Sequence, residues 1–258
     1  MIVVAIILSF LLGLAVGSFL NCVIFRLEKG EKFWHGRSHC FSCQKELGFR
    51  DLIPIFSFIR QKGRCRFCRK KISWQYPLVE LATAVLFSAT VLLRLDSGLA
   101  IAYGWLFRDW LFIAFLIIIF VYDLKYYLIL DKVIVPAIII ALAFNLILGL
   151  TWQSLVLGGL IGGVFFLFQF LVSRGRWLGG GDIRLGVLMG AVLGWPGVAI
   201  AITLAYFIGS IFSLILLALK KKSWQSQLPL GTFLTIATVI TMFWGQEILR
   251  WYLNIIGY

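Results

Sequence analysis

Long apolar runs dominate the chain and alternate with shorter polar segments that are rich in Lys and Arg. A helix of about 20 apolar residues is long enough to cross the hydrocarbon core of a bilayer. The runs predict eight membrane helices, at residues 2–25, 77–95, 99–122, 133–150, 154–173, 184–195, 197–219 and 229–249. The sixth run is short and ends at Trp195-Pro196-Gly197, so it and the seventh could instead form one bent hairpin. The pattern predicts an all-α, polytopic membrane protein.

The composition excludes other broad classes of protein. Of the 258 residues, 61% are hydrophobic and 14% are charged, whereas an ordinary soluble domain has about 25% charged residues. A water-soluble globular enzyme is therefore excluded, as are a disordered chain and a small secreted disulfide scaffold. The first apolar run lacks a basic start and an Ala-x-Ala cleavage site, so we expect a retained membrane helix there.

The net charge of +13 comes from 24 Lys and Arg against 11 Asp and Glu. A basic excess can indicate a nucleic-acid partner, but in membrane proteins basic residues collect in the cytoplasmic loops. With segment 26–76 in the cytoplasm, eight spans would leave only Arg94, Arg108 and Arg250 outside. This asymmetry indicates that the basic excess serves to orient the protein in the membrane, and it predicts no nucleic-acid partner. The basic residues are expected to lie against anionic lipid headgroups.

One long polar segment, residues 26–76, lies between the first two predicted spans and has thirteen of the 24 basic residues. It shows little helix or strand periodicity, and the chain has no internal repeat. We therefore predict a first membrane helix at 1–25, a cytoplasmic loop module at 26–76 and a membrane-embedded core at 77–258.

Four cysteines in the loop form two Cys-x2-Cys knuckles, Cys40 with Cys43 and Cys65 with Cys68, separated by 21 residues. Four thiolates from two tight turns suit a tetrahedral zinc ion, which would be structural because no coordination position stays open. Such a metal would also explain how so small a loop holds a fold. Two disulfides are the alternative, which the reducing cytosol disfavours. Cys22, in the first span, is expected to be a packing residue.

Two aspartates at the predicted cytoplasmic boundary are candidates for catalysis, because ionisable groups beside a span are costly. Asp123 ends the third span, and Asp182 follows Gly179, Gly180 and Gly181 directly before the sixth. The glycines allow backbone angles and close approach that could bring Asp182 to Asp123. Two adjacent carboxylates would share a proton, so that one could activate water while the other protonates a carbonyl oxygen. Helix-end solvation and helix capping are the alternatives for these two residues.

Two further carboxylates are weaker candidates. Asp131 competes with Asp123 for the catalytic role. If the stretch between the two positions, which are eight residues apart, is helical, the distance is about 12 Å, so these two could not easily form a pair with each other. Asp131 also falls where the N-cap of the fourth span is expected. Glu80, one turn into the second span, could have a polar role near the site or could simply be favoured by the helix dipole.

Several motifs together resemble the type IV prepilin leader peptidase/N-methyltransferase family, whose members are bacterial membrane aspartic proteases. Gly179, Gly181 and Asp182 match the Gly-x-Gly-Asp signature of the family, and Asp123 matches its first catalytic aspartate. The two knuckles match its cytoplasmic loop. Other matching segments are Gly17-Ser18-Phe19-Leu20-Asn21 with Arg26, Asp51-Leu52-Ile53-Pro54, Gly63-Arg64-Cys65-Arg66, Tyr76-Pro77-Leu78-Val79-Glu80 and Leu228-Pro229-Leu230-Gly231. Together they cover nearly the whole chain.

The resemblance implies cleavage of prepilins and pseudopilins after the glycine that ends their short basic leader, at the cytoplasmic face of the bacterial inner membrane. Asp123 and Asp182 would be the catalytic pair, and S-adenosylmethionine would supply a methyl group to the new N-terminus. Two departures from the family pattern are present. Phe41 replaces a frequent Pro, which should leave the metal site intact. Ile129-Leu130-Asp131 lacks the Pro that many members have before the acid, which affects how the segment after Asp123 turns.

Other functions remain alternatives at this point. A membrane transporter or channel also uses intramembrane acids and glycine-interrupted helices, although the acids here cluster at one face and no inverted repeat is visible. A scaffold whose zinc loop binds a partner protein is a third possibility. Presenilin-like proteases share the Tyr-Asp and Gly-x-Gly-Asp motifs, but the knuckles and the first-helix pattern favour the prepilin group.

Overall fold

The computed structural model describes residues 2–31, 38–40, 42–94, 99–220 and 228–257, so that Phe41 lies outside the described part of the chain. Within those residues the secondary structure is helical apart from two isolated β-bridges, which confirms the all-α prediction. The helices are α1 (Ile2–Lys29), α2 (Phe56–Arg60), α3 (Gln75–Arg94), α4 (Leu99–Tyr126), α5 (Asp131–Ile147), α6 (Trp152–Ser173), α7 (Gly180–Leu193), α8 (Gly197–Ala218) and α9 (Leu230–Ile255), with a 3₁₀ turn at Phe49–Asp51.

Each of the eight predicted spans corresponds to one of these helices. Six of them, α1, α3, α4, α6, α8 and α9, are long and apolar enough over the described residues to cross a membrane. The other two, α5 and α7, have 17 and 14 residues, which is short for a bilayer core that requires about 20. The number of spans therefore stays a prediction. The chain forms two compact units, Met1–Ile118 and Ile119–Tyr258, with the boundary inside α4.

In the first unit, α1 packs directly against α3. A Cβ atom on Gly17 would lie only 2.7 Å from the Cα of Glu80, so the absence of a side chain lets the two backbones touch. Small residues are typical of helix contacts in lipid, where van der Waals packing drives association. Asn21, also on α1, is buried; its amide donates to the carbonyl oxygen of Tyr76 at 3.0 Å and its oxygen accepts from Gln75 at 3.3 Å. These bonds fix the start of α3.

In the second unit, glycines hold α7 against α6. A Cβ atom on Gly186 would lie 2.5 Å from the carbonyl oxygen of Gly162, and Gly190 approaches Gly158 at least as closely. The glycines on α6 and on α7 are four residues apart, about one helical turn, so they form a continuous stripe on one face of each helix. The close contact leaves α7 little freedom to move sideways.

The C-terminal end of α7 is also fixed, by a side chain from α5. The last carbonyl groups of a helix have no partner within the helix and must be satisfied otherwise. The fully buried Asn145 donates to the carbonyl oxygens of Ala191 and Val192, at 2.6 and 3.1 Å. Contacts along α6 and at this end together determine where the N-terminus of α7 lies, and that N-terminus bears Asp182.

Candidate active site

Asp123 lies in the last turn of α4 and is 5% exposed. Its Oδ2 atom accepts a hydrogen bond from the backbone amide of Thr232 at 2.8 Å, and the amide of Gly231 contributes as well. Both amides belong to the first turn of α9, which begins after Pro229. The first amides of a helix have no intrahelical acceptor and favour an anion. The start of α9 therefore holds the Asp123 carboxylate in place.

Asp182 is the third residue of α7 and is 8% exposed. Its Oδ2 atom accepts from the backbone amide of Gly179 at 2.9 Å, which ties the turn before the helix to its first turn. The helix cap that the sequence left open as an alternative is thus a real contact. It occupies one carboxylate oxygen, however, and leaves the other available for further partners.

The structure brings Asp123 and Asp182 together, although 58 residues separate them in the sequence. Asp123 accepts its hydrogen bond beside Gly231, and Asp182 directly follows Gly181. The buried side chain of Ile129 contacts both neighbouring backbones: a Cβ on Gly181 would lie 2.9 Å from the Cβ of Ile129, and one on Gly231 would lie 3.2 Å from its Cδ1. Ile129 therefore packs between the glycine turn before Asp182 and the helix start that holds Asp123.

This arrangement is suited to acid–base chemistry. Two carboxylates that meet out of bulk water would not both ionise readily and would share a single proton. The described hydrogen bonds from Thr232 and Gly179 go to Oδ2 of each residue. Each Oδ1 atom can therefore face a water molecule or a substrate carbonyl. Such a pair can act as a base and an acid in the same step.

The three glycines before Asp182 differ in what they contribute. None has a positive φ angle, so the unusual backbone angles that glycine allows are not used in this turn. Gly180 has open space where a side chain would be, whereas a Cβ on Gly181 would collide with Ile129. Glycine is thus required at position 181, where the backbone lies close to Ile129, and not at position 180.

Asp131 is not the N-cap of α5. Leu130 occupies the cap position, and Asp131 is the first helical residue. Its exposed carboxylate forms an ion pair with Arg184 of α7. An exposed pair of this kind contributes about 0–1 kcal/mol to stability. The contact links the beginnings of α5 and α7 and leaves Asp131 outside the buried pair.

The four loop cysteines come together as the sequence predicts. In both knuckles the amide of the first cysteine, Cys40 or Cys65, donates at 2.9 Å to the carbonyl of the residue five positions later. The residue after the second cysteine, Gln44 or Arg69, has a positive φ of 56° or 60°. A short β-bridge closes each knuckle. The two turns therefore share one backbone geometry.

The sulfur atoms of this cluster could hold a metal ion. All four Sγ atoms lie within 4.8 Å of one another, and those of Cys40 and Cys68 are 3.7 Å apart. A zinc ion with 2.3 Å bonds to four sulfurs places them about 3.8 Å apart, whereas a disulfide requires about 2.05 Å.

Glu80 has a specific partner in the loop module. Its Oε2 atom accepts a hydrogen bond of 2.7 Å from the backbone amide of Ile55, and the residue is 6% exposed. Ile55 has φ +60° and ψ −50°, an unfavourable conformation for a β-branched residue. The contact fastens this turn of the loop to α3. Glu80 thus has a structural partner that the helix-dipole explanation does not provide.

Replacing Glu80 by Leu is expected to loosen this turn, because the Ile55 amide loses its acceptor at a cost of about 1–3 kcal/mol. Replacing it by Gln should have a much smaller effect, since an amide oxygen can still accept the bond. Limited trypsin digestion of the folded protein measures this as the rate of cleavage after Arg60 and Lys62. Equal cleavage rates in the Leu and Gln variants would contradict the assignment.

Other residues at the site carry a weaker sequence signal. Thr232 has no feature that marks it, and Ile129 belongs to a segment noted only for its departure from the family pattern. Their roles arise from contacts with residues far away in the chain. Gly231 belongs to a segment that the family resemblance singled out.

Asp109 is fully buried, but it pairs with Arg94 and Arg108 at 2.9 and 2.8 Å. These ion pairs explain its position without a catalytic role.

The fold and site define a multi-pass helical membrane protein with two buried aspartates held by helix N-termini. Two family models match it: "Bacterial Peptidase A24 N-terminal domain" over residues 11–94 and "Type IV leader peptidase family" over residues 110–214. The chain belongs to the type IV leader peptidase family, as the resemblance implied. The family is one of proteases, so the comparisons favour a peptidase over a transporter or channel. No solved structure gives a significant match.

Curated relatives cover nearly the full length of the chain. A protein of Aeromonas salmonicida (strain A449) is 33% identical over 96% of this chain and 94% of its own length. One of Bacillus subtilis (strain 168) is 30% identical over 95% of this chain and 96% of its own. One of Pseudomonas aeruginosa is 32% identical over 97% of this chain and 94% of its own length. All three are named prepilin leader peptidase/N-methyltransferase.

Proposed function

We propose that the protein is a membrane aspartic endopeptidase that removes the short basic leader of type IV prepilins and pseudopilins, with Asp123 and Asp182 as its catalytic residues. The observation that carries the proposal is the buried carboxylate pair, in which each residue has one oxygen held by backbone amides. Membership of the leader peptidase family and the names of the full-length relatives support the same substrate class.

In the proposed reaction one aspartate is ionised and the other is protonated. The ionised carboxylate takes a proton from water as the water oxygen bonds to the carbonyl carbon of the scissile peptide. The protonated aspartate meanwhile gives its proton to the carbonyl oxygen. In the second step the C–N bond breaks. The leaving amine receives the proton held by the first aspartate, and one hydroxyl of the intermediate returns its proton to the second.

The surroundings of the pair support this chemistry. Asp123 ends a long apolar helix, and the polar residues after it begin the next segment. Such a position is near a membrane face, where a substrate helix emerges from lipid and water is present. The bonds from Thr232 and Gly179 fix the two carboxylates, which preserves their alignment with a bound peptide.

A second activity, methylation of the new N-terminal amine, is part of the proposal. S-adenosylmethionine would supply the methyl group: the amine nitrogen would bond to the methyl carbon as the bond from that carbon to the sulfonium sulfur breaks, and the amine would lose a proton to solvent. The support for this step is the name prepilin leader peptidase/N-methyltransferase, which the full-length relatives share.

The location and domain organisation are proposed as follows. The protein spans the bacterial inner membrane several times, with residues 26–76 as a zinc loop on the cytoplasmic side between a first helix at 1–25 and a peptidase core at 77–258. The concentration of basic residues in that loop supports this orientation. Lipid and a prepilin substrate are the proposed partners.

The test is incubation of the full-length protein, in lipid vesicles, with a purified prepilin, read by mass spectrometry. We expect a loss of mass equal to the leader, and a gain of one methyl group only when S-adenosylmethionine is added. A prepilin with Val in place of the glycine before the cut should stay intact. A folded preparation that leaves the natural prepilin uncut, and instead conducts ions across the vesicles, would contradict the proposal.

Zinc is the metal we propose for the cysteine cluster, in a structural role because four thiolates leave no open position. Full-length protein is expected to contain about one zinc per chain, and Cys65→Ser should lose most of it, since three remaining thiolates bind much more weakly. Cys22, which lies on α1 outside the cluster, gives a matched control: Cys22→Ser should keep its zinc. Elemental analysis of both variants measures this, and equal zinc content in the two would contradict it.

A further inference from the structure

A groove of about 700 Å³ lies between the loop module and the first turns of α3. One wall is aromatic, where the rings of Phe58 and Trp74 meet edge to face with their centroids 5.0 Å apart. Another part of the lining is aliphatic and includes Leu78 and Leu81 of α3, which are 59% and 43% exposed. The lining of the groove is therefore mostly apolar, and the described part of the chain leaves it uncovered.

The charged residues of this groove all have the same sign. Lys62, Arg64 and Lys71 line it, and none of its described lining residues is acidic. A second, smaller pocket shares Lys62 and Arg64 and adds Arg60 and Arg69. The groove thus combines apolar walls with a concentrated positive charge, which is complementary to an anionic amphiphile.

The connection to α3 places the groove beside the membrane. Helix α3 is one of the six helices suited to crossing a bilayer, and it begins at Gln75, so Leu78 and Leu81 belong to its first two turns. The neighbouring loop residues Ile59 and Trp74 are 67% and 69% exposed. Exposed aromatic and aliphatic side chains beside basic ones are typical of a surface that lies in the headgroup region of a membrane.

We infer that this groove binds an anionic phospholipid of the surrounding membrane. An acyl chain lies along Leu78, Leu81 and the Phe58–Trp74 pair, and the phosphate pairs with Lys62, Arg64 and Lys71. The bound lipid fixes the loop module to the membrane surface. S-adenosylmethionine fits this groove less well, because its sulfonium and ammonium groups would meet three cations with no lining carboxylate to offset them. A basic leader peptide is repelled for the same reason.

Native mass spectrometry of the full-length protein, titrated with phosphatidylglycerol or phosphatidylcholine, tests the inference. We expect wild type to retain one phosphatidylglycerol in clear preference to phosphatidylcholine. In Lys62→Gln/Lys71→Gln the Kd for phosphatidylglycerol should rise about 30-fold, from roughly fivefold for each basic residue near an anionic lipid. Lys45→Gln/Arg50→Gln removes the same charge from the same loop outside the groove and should leave the Kd unchanged.

A second pair of variants tests the apolar wall. Ile59→Asn should weaken the binding of both lipids, whereas Phe49→Asn, at a loop position that is 84% exposed and outside the groove, should not. If Lys62→Gln/Lys71→Gln and Lys45→Gln/Arg50→Gln weaken phosphatidylglycerol binding equally, the inference is overturned, because the binding then depends only on the general charge of the surface. If Lys62→Gln/Lys71→Gln loses product methylation but binds lipid as wild type does, the inference is overturned and the groove is a methyl-donor site. Lipid binding is read without cleavage, so failure of the peptidase proposal would not affect this result.

Discussion

Asp123→Asn and Asp182→Asn are each expected to slow prepilin cleavage by about a thousand-fold or more, the scale seen when an acid–base residue is removed. An Asn oxygen can still accept the hydrogen bond from Thr232 or from Gly179, so the fold around each position should persist. What is lost is the ionisable proton. Because the two residues act as a unit, the double variant should be hardly slower than either single one. The rate of leader release measured by mass spectrometry gives the comparison.

Asp131→Asn is the matched control for these variants. It removes a carboxylate from the same region, but that carboxylate is exposed and paired with Arg184. We expect its cleavage rate to stay within a few-fold of wild type, since an exposed ion pair contributes about 0–1 kcal/mol. If Asp131→Asn loses as much cleavage activity as Asp123→Asn does, the choice of Asp123 over Asp131 as the partner of Asp182 is reopened. Normal cleavage by either variant of the buried pair would refute the catalytic assignment.

Gly181→Ala is expected to reduce cleavage on the order of a hundredfold while the protein still folds. The new Cβ would lie 2.9 Å from the Cβ of Ile129, so the turn before Asp182 must shift. A displacement of this size misaligns the carboxylate with its substrate and its partner. Gly231→Ala should act similarly on the other side, because its Cβ would lie 2.8 Å from Oδ2 of Asp123.

Gly180→Ala provides the internal control, since it makes the same chemical change one residue earlier. Nothing lies within 4 Å of its would-be Cβ, and its φ is not positive. Alanine is also the better helix former. We expect cleavage close to wild type. If Gly180→Ala and Gly181→Ala lose activity equally, then flexibility of the turn, and not close approach to Ile129, is what the glycines provide.

Much of the candidate site can be predicted because its residues stand out chemically against their neighbours. A carboxylate beside an apolar run is costly, and this feature marks Asp123 and Asp182 among a few candidates. The family resemblance is what singles out these two residues as a pair. Two pairs of cysteines at knuckle spacing mark the metal cluster, which the structure brings together. Glu80 stands out in the same way, but its partner does not, because Ile55 contributes only a backbone amide.

Local sequence determined the helices of this protein, because apolar runs of sufficient length must satisfy their own backbone hydrogen bonds in lipid. It also determined which residue types were available for chemistry. Tertiary structure alone decided that Gly181 needs close approach and Gly180 does not, that Asp131 pairs with Arg184, and that the start of α9 holds Asp123. These contacts join residues that are far apart in the chain, and they depend on how helices pack. A local pattern specifies which face of a helix is small or polar, and only the packed neighbours specify what that face meets.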